Sequence, residues 1–168
     1  MKKSFSLLLM AMFALIMISA CSSNDDDADK NLDELIGTWE SSGTGNIAPG
    51  LAGAPFKTAK IVAVFNENNT YNVVSTDSAG ANTTFTGTWT VGTEAKGAVR
   101  SITLNQNTPA ALVSSGIFQV VGTTMTYEII QSDPAITGVT PPSASEGFGS
   151  TKYGGVNWPI WIQKYAKK

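Results

Sequence analysis

Between Thr83 and Val91 the chain alternates without a break. Phe85, Gly87, Trp89 and Val91 fall on one side; Thr84, Thr86, Thr88 and Thr90 fall on the other. A period of two puts successive side chains on opposite faces of an extended strand. One face is therefore buried and the other is wet. Seven further short runs read as strands, at 35–41, 59–65, 70–75, 100–105, 116–121, 124–130 and 158–165. Within them Ile102 alternates with Leu104, and Met125, Tyr127 and Ile129 share a face. No segment carries a convincing 3.6-residue apolar period, apart from a short turn at 31–35. Charged residues make up only 14 % of the chain, and Thr, Ser, Asn and Gly are plentiful. Eight strands at regular spacing with turn residues between them predict an all-β, antiparallel domain, either sandwich or barrel.

The connections narrow the choice. Those at 66–69, 92–98 and 122–123 are short, and those at 42–58, 76–82, 106–115 and 131–157 are longer. In an up-and-down sheet alternate connections lie at the same end. The pattern predicts an eight-stranded up-and-down barrel with tight turns at one end and long loops at the other. Ligands enter barrel mouths, and eight strands leave room for packed side chains or one small ligand.

Leu35-Ile36-Gly37-Thr38-Trp39-Glu40 on the first strand resembles the Gly-x-Trp motif of the lipocalins and the wider calycin group. The pattern recurs as Thr86-Gly87-Thr88-Trp89-Thr90-Val91, and 65–71 fits the tight turn between strands two and three. The ensemble is similar to the bacterial lipocalin-like lipoproteins over most of the mature chain. The resemblance implies a ligand-binding barrel. The lipocalin pattern also sets an Arg of the last strand over the Trp. Here Lys164 stands as the basic residue there, and no C-terminal helix is expected after Lys168. A fifty-residue duplication is the weaker explanation of the two Gly-Thr-Trp copies, because little else repeats at that period.

The first residues carry a different message. Lys2 and Lys3 precede an apolar run from Leu7 to Ile18, then Ile18-Ser19-Ala20-Cys21. A basic start, a short apolar core and small residues before a cut are the secretory signal pattern. The run is shorter than the roughly 20 residues of a membrane span. Ile-Ser-Ala-Cys resembles the lipobox of bacterial lipoproteins. It implies cleavage after residue 20 and acylation of Cys21, the chain's one cysteine, by lipid such as palmitate. Two or more acyl chains give lasting attachment. Residues 21–34 read as an acidic, flexible tether; Asp25, Asp26, Asp27 and Asp29 with Lys30 give net −3 over 21–30. Ser22 and the acidic cluster resemble sorting signals of outer-membrane and surface lipoproteins. The expected arrangement is a signal peptide over 1–20, a tether over 21–34 and a barrel over 35–168. The expected location is the outer membrane, lipid-anchored and exposed at the cell surface, with the periplasmic face as the other option.

From residue 31 onward nine acids face eight bases, net −1. No clustered basic face suggests nucleic acid, and no polybasic patch suggests an anionic membrane surface. The chain has no His, so His-based triads and imidazole metal sites are out. Glycoside hydrolysis needs two facing carboxylates. Glu40, Asp77, Glu128 and Asp133 are the candidates; no spacing pairs any two on one face, and Asp77 with Asp133, both in loops expected at the mouth end, is the pair left open. Neither cofactor nor metal is expected, and the chain reads as a non-enzyme.

Binding has better material. Phe85, Trp89, Met125 and Tyr127 are expected to line any lumen. Phe56 lies in the first long loop, among Ile47, Pro49, Leu51 and Pro55. Phe148, Tyr153 and Trp158 lie in or beside the last loop. The favoured expectation is a membrane-anchored barrel that binds a small apolar or amphipathic ligand. The alternatives are a surface module that takes glycan or protein on loop aromatics over a filled barrel, and, behind both, a hydrolase.

Overall fold

A computed structural model describes residues 34–168. The signal peptide, Cys21 and nearly all of the expected tether lie outside the described residues. Eight strands close an antiparallel barrel: β1 (Gly37–Ser42), β2 (Thr58–Phe65), β3 (Thr70–Asp77), β4 (Asn82–Lys96), β5 (Val99–Thr108), β6 (Leu112–Val121), β7 (Thr124–Asp133) and β11 (Ile162–Lys167). Each strand pairs with its neighbour in sequence, and β11 returns to β1. This is the up-and-down order that the alternating runs predict. Three short strands, β8 (Val139–Thr140), β9 (Lys152–Tyr153) and β10 (Val156–Asn157), form a separate small sheet within the last connection.

Strands β2, β4, β6 and β11 run toward one end, where the turns 66–69, 97–98 and 122–123 are tight. At the other end lie 43–57, 78–81, 109–111 and 134–161. Both long connections are therefore at the same end, the mouth. The two other mouth connections are tighter than expected. Strands β3 to β6 extend beyond their expected runs, because backbone pairing continues through residues such as Asn82, Gln106 and Ser114. At the turn 78–81, the Asp77 Oδ1 accepts from the N–H groups of Ala79 and Ala81 at 2.9 and 2.8 Å.

The last strand starts later than its apolar run suggests. Pro159 has no N–H to give a ladder, and a single 3₁₀ turn (Pro159–Trp161) precedes β11. Trp158 and Trp161 thus do not sit on opposite faces of a strand. They pack edge to face, with ring centroids 5.3 Å apart.

The closed end is filled by side chains. Trp39, Trp89, Ile102, Phe118 and Met125 are almost fully buried there, and Leu35 covers them from the incoming chain. The two Gly-Thr-Trp copies work alike at the Trp and differently at the Gly. Each indole donates to a main-chain carbonyl: Trp39 Nε1 to Leu35 at 2.7 Å, Trp89 Nε1 to Thr70 at 3.2 Å. Gly37 takes a left-handed φ of 129°. Gly87 sits at a register shift between β4 and β5, where a Cβ would collide with the Asn105 carbonyl.

The middle of the last connection lies against the outer wall, held by Glu128, while Ile136 and Trp161 toward its two ends reach the mouth. Glu128 alternates with inward Tyr127 and so faces out, yet it is fully buried. Its carboxylate accepts from Gly149 N at 2.6 Å, from Thr151 N at 3.0 Å and from the Thr151 hydroxyl. Farther along, Lys96 donates to the Ser145 carbonyl at 2.9 Å, and Ser145 N donates to Glu94 at 3.0 Å.

Candidate functional site

Inside the mouth half of the barrel is a cavity of about 280 Å³. Alternate residues of the strands build its wall: Ile61 and Phe65 from β2, Tyr71, Val73 and Ser75 from β3, Phe85 from β4, Leu104 and Gln106 from β5, Ser114 from β6, Tyr127 and Ile129 from β7. Leu51 and Phe56 of the first long loop roof it. The helix α1 (Pro49–Ala52) holds that roof against the Trp161 ring. At Gly50 a Cβ would lie 2.9 Å from that ring, so only glycine lets the two pack this closely. A second hollow, of about 230 Å³, adjoins the first and shares Leu51, Phe56, Ser114 and Ile129 with it. Gln131, Ile136, Trp161 and Gln163 help complete its lining. A further hollow, of about 560 Å³, is an open groove beneath the β1–β2 loop, walled by Gly43, Thr44, Ile47 and Thr58 among others. Among the described residues, no buried side-chain group without a hydrogen-bond partner lines that groove.

The polar chemistry of the lumen sits on one seam. Tyr127 and Gln163 are register partners on β7 and β11, and both are about 95 % buried. Among the described residues, the Tyr127 hydroxyl, the Gln163 Nε2 and the Trp161 Nε1 are buried without a hydrogen-bond partner. Burial pushes the Tyr127 phenol well above its ordinary range, with help from Tyr165 and Tyr71. It is a neutral donor at any physiological pH. Neither hollow is lined by an acidic or a basic side chain.

Of the residues expected to bind ligand, Phe56, Phe85 and Tyr127 line this cavity. Trp89 and Met125 do not line it; they pack the closed end, Trp89 edge-on to Phe65 with centroids 6.0 Å apart. The barrel tilts its strands, so a residue's level in the lumen is not its place along the strand. Phe148, Tyr153 and Trp158 stay outside, in the connection held by Glu128. Tyr153 is 58 % exposed and its ring meets Trp158 at 5.4 Å and 44°, so the two do not make a flat platform. Leu51, one of the first-loop apolar residues, lines both hollows as well, whereas Tyr71, Ser114 and Gln163 are not among the residues expected there. Tyr71 was within reach, because it alternates with Val73 on β3; Gln163 becomes visible only once its register with Tyr127 is known.

The four acids have other attachments. Glu40 is on the outer face and pairs with Lys60 at 3.1 Å and Lys168 at 3.3 Å, which hold its carboxyl below the usual range. Asp77 holds a turn, Glu128 holds the last connection, and Asp133 ends β7 in solvent. None of them lines either hollow.

The basic residue over Trp39 is Lys167, not Lys164. Strand β11 runs to Lys167, whose ammonium lies 5.2 Å from the Trp39 ring centroid. Lys164 is on the opposite face by the alternation of β11, exposed to solvent.

Comparison with family models, with curated proteins and with solved structures finds no match to this chain.

Proposed function

We propose that this protein is a lipid-anchored, lipocalin-like binding module that takes a small apolar or amphipathic molecule into the mouth half of its barrel without chemistry on it. One observation carries the reading. The cavity of about 280 Å³ is walled mainly by apolar side chains, and Tyr127 in that wall carries a buried hydroxyl without a partner among the described residues. Affinity would come from apolar area removed from water, roughly 25 cal/mol per Å². A few polar groups would then set the pose. At about 30 Å³ for each water displaced, the space holds a ligand of roughly nine non-hydrogen atoms.

The anchor belongs to the same proposal. The barrel receives its chain at the closed end, where Leu35 packs under Trp39. Acylation of Cys21 would therefore leave the mouth pointing away from the bilayer, open to molecules arriving from outside. Glycan or protein binding on Tyr153 and Trp158 is the weaker reading, since their rings are tilted and not coplanar.

Native mass spectrometry of the protein purified from its own host tests the cavity. A retained small molecule, lost when Ser114→Leu fills the lumen, is the expected result. A protein that carries nothing and takes up no apolar probe would sink the reading.

A further inference from the structure

Resting on that binding reading, we propose that the ligand carries an uncharged hydrogen-bond acceptor of the carbonyl class, received by Tyr127 and Gln163 at the β7–β11 seam. Three side chains in the walls of the hollows carry a buried donor without a partner among the described residues: Tyr127 of the first hollow with its hydroxyl, and Gln163 and Trp161 of the second with Nε2 and Nε1. The amide nitrogen and the indole nitrogen can only donate, and a neutral phenol donates readily. Each unmet group costs about 1–3 kcal/mol when buried. A ligand that brings an acceptor removes that cost, whereas a pure hydrocarbon leaves it standing.

The geometry suits one acceptor atom. Tyr127 and Gln163 are directly opposed on neighbouring strands and face the same way. Opposed residues hold their Cβ atoms about 5 Å apart, so one oxygen lodged where the two hollows adjoin is within reach of both side chains. A carbonyl oxygen has two lone pairs and can take both donors. Trp161, at the rim, offers a third donor to a second acceptor nearer the mouth.

Charge selects among acceptors. A carboxylate would also accept, but no Lys or Arg lines either hollow. Burying an anion without a cation is far more costly than burying a neutral carbonyl. The seam therefore favours ketones, esters, lactones and amides over fatty acids of equal length.

Three probes of matched chain length separate these cases: octane, methyl hexyl ketone and octanoate, each equilibrated with the intact protein. The ketone is expected to bind up to about tenfold more tightly than octane, and octanoate most weakly of the three. Tyr127→Phe removes an oxygen that makes no bond within the protein. It should lower the ratio of ketone to octane affinity, with Gln163 Nε2 left as the remaining donor. The infrared carbonyl band of the bound ketone should also fall in frequency in the native protein, and less in the variant. If uptake is intact but ketone and octane bind alike, or octanoate binds best, the carbonyl inference is overturned and the cavity reading stands. If no probe enters, the cavity reading goes and the inference with it. The three-probe comparison on the native protein decides the matter even if the variant fails to fold.

Discussion

Lys167 and Trp39 are opposed across the β1–β11 pair, and the ammonium lies over the indole at 5.2 Å from its centroid. This contact sits at the seam where the first strand meets the last, so it helps to close the barrel. Lys167 also donates to the Glu34 carbonyl at 3.2 Å, tying the incoming chain to the closing strand.

Lys167→Met keeps most of the stem and removes the charge. It should cost about 0.5–1 kcal/mol, the worth of a partly exposed cation–π contact. Trp39→Ala empties the closed end and should cost about 3–5 kcal/mol. Lys164→Met should be near neutral. Urea midpoints at constant slope measure all three. A Lys164 effect larger than that of Lys167 would contradict this account of the closure.

Glu128 is a buried carboxylate whose acceptors are all committed to one loop. Hydrogen bonds to a charged group are each worth about 1.5–3 kcal/mol. Glu128→Ala should therefore destabilise by roughly 3 kcal/mol or more and speed amide exchange at Gly149 and Thr151. Because the carboxylate faces away from the lumen, uptake of an apolar probe by the folded fraction should not change. Loss of uptake without loss of stability would mean that the last connection does more than clad the wall.

Much of the barrel was legible because its signal is local. Phe85, Gly87 and Trp89 announce a strand by alternation alone, and tight turns alternating with long loops announce the order of the strands. The site was less legible because it depends on pairing between distant strands. Tyr127 is visible as an inward residue, but its partner Gln163 follows only from the register of β11. Lys167 is hidden because the apolar run 158–165 starts across Pro159 and ends before it, whereas β11 covers Ile162–Lys167. Glu128 reads as an ordinary solvent-facing acid on an alternating strand; nothing local tells of the loop that covers it. One signal was present and unused. Gly154 and Gly155, both at left-handed φ of 58° and 82°, make the two-residue turn between β9 and β10.

Gly87 and Gly116 sit where another strand's backbone leaves no space for a side chain. A Cβ at Gly116 would meet the Glu128 carbonyl, and one at Gly87 the Asn105 carbonyl. Ala at either position should cost about 1–3 kcal/mol through backbone displacement. Gly53 is the control, since its φ is −80° and its nearest contact would be 3.5 Å away. Gly53→Ala should be neutral or stabilising by up to about 1 kcal/mol. Thermal melts of the three variants check the ranking, and a tolerated Gly87→Ala would argue against the close approach of β4 to β5.

Ser114 borders both hollows, so a larger side chain there intrudes on both at once. Ser114→Leu should lower probe affinity at least about tenfold, because the lost space removes apolar contact from the ligand. It should not lower stability, since leucine fills a hollow already there. Titration of methyl hexyl ketone against both proteins, with melting curves alongside, distinguishes filling from misfolding.

Three phenols give the fold an alkaline limit. Burial raises Tyr71 to about 12 and pushes Tyr127 and Tyr165 above their ordinary range as well. In the unfolded chain a tyrosine loses its proton near pH 10. Below that pH both states keep the proton and these groups leave stability unchanged. Above it the unfolded state binds fewer protons than the folded one, so stability falls as pH rises. The fall should begin near pH 10, with a slope of up to about 1.4 kcal/mol per pH unit for each phenol still protonated in the fold. Tyr127→Phe removes one of the three and should make the fall shallower, by at most that slope. Urea midpoints measured from pH 8 to pH 11 check this, and a variant curve parallel to the native one above pH 10 would show that Tyr127 does not titrate with unfolding.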